Sequence, residues 1–291
     1  MKTKNIGKAV VDAVVEWIGP VRDPLTMYTN ATTEMIDRHK TWMLPIHMDE
    51  ASGMLNLIFQ SYLIRTPRYT ILVDSCRGND KERPLRPDWH QQSWPWMANF
   101  RAAGVKPEDI DFLLCTHLHT DHVGWNTMLR DGRWVPTFPN ARYLFSETEY
   151  AFWESRYRED DAVRDSFADS VLPVVEAGQV DLVKGDHEID SGLWLEPTPG
   201  HTPGHVCLYL ESGGDHAVFC GDLVHHPIQI REPQLRTIFC NNPEMSSATR
   251  MKFMDKHTDT DTLILPIHFT GESAGHIVSQ GNGRVFKFDE G

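Results

Sequence analysis

CTHLHTDHVGW, residues 115–125, sets His117, His119, Asp121 and His122 within six positions, directly behind the apolar run FLL at 112–114. In an extended chain, residues two apart point to the same side. His117, His119 and Asp121 therefore share a face, while His122 is expected to open a helix and turn toward a second position. Imidazole nitrogen and carboxylate oxygen suit zinc, and also manganese, iron or cobalt. A lone histidine is usually an exposed or hydrogen-bonded structural residue. Four donors at this spacing read as a metal site.

The same pattern recurs further along the chain. VFCGD stops at Asp222, LILPIH stops at His268, and LWLEPTPGHTPGH runs through a Gly/Pro turn to His201 and His205. Four apolar strands thus hand a histidine or a carboxylate to their C-terminal ends, the edge at which α/β sheets bind ligands. His39, His47, His90, His187, His216 and His257 lack such a setting and are expected to be structural.

Composition bounds the rest. The chain has 291 residues, 40% of them hydrophobic, which fits one large α/β domain over 1–291. Its 28 basic and 41 acidic residues give a formal charge of −13, a poor match to a nucleic-acid backbone. Cys76, Cys115, Cys207, Cys220 and Cys240 are odd in number and form no CxxC pair. They read as small hydrophobes in a reducing compartment. Asp12 and Glu16 interrupt the apolar stretch near the N-terminus, so no signal peptide is expected. No apolar run approaches the ~20 residues of a membrane span. A cytoplasmic protein without membrane or nucleic-acid partners is the expectation.

Patterning places a strand over 10–17 and a helix over 32–42 inside an N-terminal extension, residues 1–55. Two strands flank the turn at Pro67, and a helix ends at Gly104. A further strand runs into the opening motif. ARYLFSETEYAFWE reads as a strand entering a helix, and 147–180 as a helical insertion close to the pocket. Three strands follow at GLWLEPTPG, HVCLYLES and HAVFCGD, then a helix over 247–257 and the strand DTLILPIH. Alternating strands and helices with some hairpins indicate mixed sheets.

Taken in order, THLHTDHVGW, TPGHTPGH, FCGDL and LPIHF resemble the motifs of the metallo-β-lactamase superfamily, spread over residues 57–288. The resemblance implies a four-layer αβ/βα sandwich with mixed sheets and a dinuclear centre of two divalent ions, zinc first among them. His117, His119 and His205 would hold the first ion, Asp121, His122 and His268 the second, and Asp222 would bridge. His201 would brace the loop. Members with a cysteine ligand carry it where Asp222 stands, and di-iron redox members replace the second motif residue by glutamate. His119 is retained here, which points to hydrolysis rather than electron transfer.

LPIHFTGESAGHI and GDLVHHPIQ are similar to the branch of lactonases and organophosphate hydrolases. This implies a hydroxide held between the ions attacking a lactone or ester, with organophosphate triesters or β-lactams as alternatives. A redox or non-hydrolytic metal protein is the alternative of another class. The tyrosine that quorum-quenching lactonases carry after the bridging aspartate is missing, and His225 and His226 stand nearby instead. Asp121, His225 and His226 are the candidate proton carriers, and Trp125 and His276 the candidate substrate contacts. A small hydrophobic ester or lactone is the expected substrate. A homodimer formed through the N-terminal extension is the expected assembly.

Overall fold

The computed structural model describes residues 1–157 and 161–291, without the side chains of 161–164. The helical insertion expected over 147–180 therefore crosses 158–160, which lie outside the described residues. The chain divides into two compact units. The motif unit comprises Thr3–Trp17 and Phe59–His187, and the C-terminal unit comprises Met1–Lys2, Ile18–Ile58 and Glu188–Gly291.

The first sheet takes its opening strands from β1 (Lys4–Ile6), β2 (Ala9–Arg22), β3 (Leu55–Arg65), β4 (Thr70–Val73) and β5 (Phe112–Leu114). A separate two-stranded ribbon follows, β6 (Thr127–Arg130) with β7 (Arg133–Pro136). Then β8 (Arg142–Ser146) and β9 (Val180–Val183) complete a seven-stranded sheet of order β1-β2-β3-β4-β5-β8-β9 among the described residues. Strands β4, β5, β8 and β9 run parallel, with Val73, Leu114 and Leu144 in register. Parallel strands covered on both faces read as unbroken apolar runs, and TILV and FLL do so.

Helices α1 (Pro24–Met27) and α2 (Thr33–Met43) lie between β2 and β3 in the chain. Thr32 caps α2, its hydroxyl accepting from the Met35 amide at 3.2 Å. The stretch expected as an N-terminal extension thus contributes β1, β2 and both of these helices. The motif unit adds α3 (Trp96–Ala102), α4 (Thr120–Val123), α5 (Glu147–Tyr157), α6 (Asp161–Ser170) and α7 (Leu172–Glu176). Trp96, Phe100, Trp125, Phe138, Tyr143 and Phe145 belong to its buried core.

The second sheet lies in the C-terminal unit. Its strands are β10 (Glu188–Asp190), β11 (Leu193–Pro197), β12 (Val206–Ser212), β13 (Asp215–Phe219), β14 (Leu263–Leu265), β15 (Gly275–Gln280) and β16 (Gly283–Phe288), neighbours in that order. In this sheet β13 and β14 pair parallel, and β10–β11, β11–β12, β12–β13, β14–β15 and β15–β16 pair antiparallel. Helices α8 (Ile228–Arg231) and α9 (Pro243–His257) connect β13 to β14. Helix α9 begins a turn before the expected 247. Asn242 accepts from the Met245 amide at 3.0 Å, and Pro243 takes the first helical position. The architecture is α/β with mixed sheets, as the sequence implies. No described helix is long and apolar enough to cross a membrane.

Candidate metal centre

In the motif unit, β5 ends at Leu114 and the chain turns through Cys115 and Thr116 into His117. Asp74, one residue beyond β4, anchors this turn. It accepts from the Thr116 amide at 2.7 Å and the Thr116 hydroxyl at 2.9 Å, and pairs with His122 Nδ1 at 2.8 Å. A carboxylate behind a histidine fixes the ring's tautomer and turns its other nitrogen outward. His117 Nδ1 lies 3.1 Å from Thr116 Oγ1, and His117 Nε2 lies 2.9 Å from His119 Nδ1. His119 is the N-terminal flanking residue of α4, so His122 sits in that helix and is fully buried. Asp121, partly exposed, has Oδ2 3.9 Å from His122 Nε2. Glu149 of α5 accepts from the Leu118 amide at 3.0 Å and from Trp153 Nε1 at 2.6 Å, and the Trp153 ring packs edge-on against His119.

Two glycines hold the end of this motif. Gly124 donates to the Cys76 carbonyl at 2.8 Å, and a Cβ placed on it would lie 2.0 Å from the Arg77 carbonyl. Gly78, at φ +79°, meets Gly124 from the other side, where a Cβ would come within 2.7 Å. Only glycine lets two backbones approach so closely.

In the C-terminal unit the parallel register pairs Phe219 with Leu265. Asp222 and His268 each stand three residues beyond, so one sheet edge delivers both. Asp222 spreads its two oxygens: Oδ1 faces His268 Nε2 at 3.1 Å, and Oδ2 faces His201 Nε2 at 3.2 Å and His225 Nε2 at 3.3 Å. The far nitrogen of His268 lies 2.8 Å from the Ile58 carbonyl. Burial pulls the pKa of His201 down to about 3, against the attraction of Asp222, so its ring is neutral at ordinary pH.

The two histidines of TPGHTPGH take roles opposite to those expected. His205 has Nδ1 2.8 Å from Thr198 Oγ1, and its Nε2 accepts from the Asp222 amide at 3.0 Å. Both ring nitrogens are thus engaged, one by Thr198 just beyond β11 and the other by the Asp222 amide beyond β13. His201, expected as the brace, is the ring aimed at the Asp222 carboxylate. Gly200 precedes it at φ +131°, where an added Cβ would lie 2.2 Å from the Ser246 amide nitrogen, so the backbone before His201 is pressed onto α9.

Other expected site residues are placed elsewhere. Trp125 is 5% exposed, stacks on Trp96 at 5.1 Å and donates to Glu16 Oε1 at 3.0 Å, so it belongs to the core of the motif unit. His226 spans the His47 carbonyl at 2.8 Å and the Ile228 amide at 3.2 Å, and burial lowers its pKa to about 3; it braces the chain. His276 pairs with Lys287 across the β15–β16 hairpin and sets Nδ1 3.0 Å from the Thr262 carbonyl, again a bracing contact. His225 is 2% exposed, and its Nδ1 has no hydrogen-bond partner among the described residues.

Sequence reading passed over Asp74, Glu149 and Thr198. For Asp74 the signal was present: ILVD is another apolar run that stops at a carboxylate.

These donors suit a divalent ion. They are imidazoles and carboxylates, largely buried, and several rings have an oxygen behind them. A tetrahedral zinc with bonds of ~2.0–2.1 Å spaces neighbouring donors by about 3.3 Å. The within-unit spacings of 2.9 Å between His117 and His119, 3.1 Å between His268 and Asp222 and 3.2 Å between His201 and Asp222 lie close to that.

The fold and these donors define a family. The profile of the Metallo-beta-lactamase superfamily matches residues 60–267, and the chain belongs to that superfamily. It is similar to the N-acyl homoserine lactonase of Bacillus cereus, 28% identical over 172 residues, covering 55% of this chain and 61% of the relative. It also resembles the lactonase AttM of Rhizobium radiobacter, 32% identical over 114 residues, covering 38% of this chain and 39% of the relative. The chain spans about three fifths of the length of the Bacillus relative. Among solved structures, the hydrolase AbOPH of the beta lactamase superfamily has a TM-score of 0.82 at 23% identity, covering 99% of this chain and 98% of that one. AidC, a dizinc quorum-quenching lactonase in complex with its product, has a TM-score of 0.80 at 18% identity, covering 99% and 97%. At such identities the likeness establishes the fold.

Proposed function

We propose that this protein is a metal-dependent hydrolase that opens a lactone or a related ester. The residues that would hold divalent ions, zinc first among the candidates and two in number, are His117, His119, Asp121 and His122 of the motif unit and His201, Asp222 and His268 of the C-terminal unit. The observation that carries this reading is Asp222, whose two oxygens each face a different imidazole, as a carboxylate shared between two ions would. The lactonases among its relatives support the substrate class.

Two bound ions supply a nucleophile at neutral pH and polarise the carbonyl under attack. The chain's own residues do the rest. Asp74 and the Ile58 carbonyl hold His122 and His268 in the tautomer with the proton on Nδ1. His225, beside Asp222 and with Nδ1 unbonded, carries the proton to the departing alkoxide, and Asp121 is the second carrier. His205 keeps the turn closed.

Metal-quantified protein offered lactones, aryl esters, phosphotriesters and β-lactams tests the assignment. Two ions per chain with fastest turnover on lactones or aryl esters is the expected result. Faster turnover of a phosphotriester or β-lactam would overturn the substrate class. A redox-active iron centre without hydrolysis would overturn the hydrolase reading.

A further inference from the structure

We propose that Cys240 is a positioning residue for His201, a thiol that reverses its hydrogen-bond role when that ring changes tautomer. The proposal rests on His201 being a metal ligand. Cys240 Sγ lies 3.5 Å from His201 Nδ1, 3.3 Å from Ser246 Oγ and 3.2 Å from Thr237 Oγ1, so its one hydrogen has both the ring and the Ser246 oxygen within reach. The opposite nitrogen of the same ring, Nε2, lies 3.2 Å from Asp222 Oδ2. One imidazole thus joins the bridging carboxylate to the thiol.

A neutral imidazole carries one proton, on either nitrogen. Without metal, Asp222 is best served by a proton on Nε2, which leaves Nδ1 bare and in need of a donor. The thiol hydrogen supplies it. When Nε2 gives its lone pair to a cation, the proton must sit on Nδ1, which then needs an acceptor. The same sulfur accepts, and its own hydrogen turns to Ser246 Oγ.

His122 and His268 lack this freedom. A carboxylate stands behind His122 and a backbone carbonyl behind His268, and both only accept. The distance is held by the backbone: Asn241 donates to the His201 carbonyl at 2.7 Å, and Asn242 to the Gly200 carbonyl at 2.9 Å. The two loops therefore move as one piece.

Histidine ¹⁵N spectra of the full chain, metal-free and titrated with zinc, read the tautomer directly. Competition with a chromophoric chelator reads the affinity. In the wild type, the proton of His201 should move from Nε2 to Nδ1 as zinc is added. Cys240→Ser should keep that response. Cys240→Ala should lose the clean exchange and bind zinc ~10–100-fold more weakly, and Ser246→Ala should weaken it several-fold. Wild-type affinity and tautomer response in both alanine variants would overturn the proposal, and Ser246→Ala decides alone should Cys240→Ala not fold. His201→Asn separates the two readings. Undiminished zinc binding there would sink the ligand assignment itself, whereas zinc loss there with none in the alanine variants would sink only the role of Cys240.

Discussion

The two units solve the same chemical problem by different means. The motif unit takes its four donors from six consecutive positions and steadies them with carboxyl groups from distant parts of the chain, Asp74 and Glu149. The C-terminal unit gathers His201, Asp222 and His268 from three separate loops and backs them with neutral groups: a thiol, a backbone carbonyl and the Thr198–His205 pair. Donors that are neighbours in sequence need only a fixed backbone. Donors far apart need register, and β13 and β14 provide it through the pairing of Phe219 with Leu265.

The hardest test of this contrast falls on the backbone of the motif unit. Gly124→Ala should cost more than ~4 kcal/mol, because the new methyl meets a carbonyl with no flexible side chain to yield. A urea midpoint close to that of the wild type would show that the motif does not depend on this contact. Next comes the exchange of roles in TPGHTPGH. His201→Asn should remove bound zinc without large loss of stability. His205→Asn should keep zinc while costing ~1–3 kcal/mol through unsatisfied groups at Thr198 and Asp222. Elemental analysis beside denaturation curves distinguishes the two, and zinc loss from the His205 variant alone would restore the assignment made from sequence.

Acid should weaken the C-terminal unit through its neutral rings. Burial lowers the pKa of His47 from 6.5 to about 4, so the unfolded chain takes up a proton that the folded ring refuses. Its contribution is complete above about 6.5 and is lost as pH falls toward about 4, by up to ~1.4 kcal/mol per pH unit. His47→Gln should flatten that part of the stability profile of metal-free protein, and an unchanged slope would contradict the assignment. The smallest effect is expected at Trp125→Phe, which keeps the stack on Trp96 and drops the bond to Glu16. It should cost ~1 kcal/mol and leave KM for a lactone unchanged, whereas a raised KM would return Trp125 to the substrate.

Much of this was legible in residue order. Apolar runs ending in His117, Asp222 and His268 mark strand ends because β5, β13 and β14 are buried and stop where polar side chains begin. The choice between His201 and His205 was not legible, since both follow the same TPG tripeptide. The two rings are told apart only by their surroundings in the fold, His201 Nε2 facing the Asp222 carboxylate and His205 Nε2 accepting from the Asp222 amide, between residues 17 or more apart in sequence. Trp125 looked like a pocket wall because its partner, Glu16, lies 109 residues away on β2. Hairpin β15–β16 escaped notice because its residues alternate weakly, with exposed Gln280, Gly283 and Lys287 diluting the apolar face.

The stack of Trp96 on Trp125 has an optical consequence. Two indoles 5.1 Å apart and inclined by 20° are close enough for their electronic transitions to couple, and the pair should give a positive and a negative band in circular dichroism that Trp125→Phe removes. Because Trp125 stands three residues after His122 and is tied through Glu16 to Gly78, that couplet is a built-in gauge of whether the backbone carrying the histidines is in place. It can be read on unlabelled protein, without substrate, while metal is added or withdrawn.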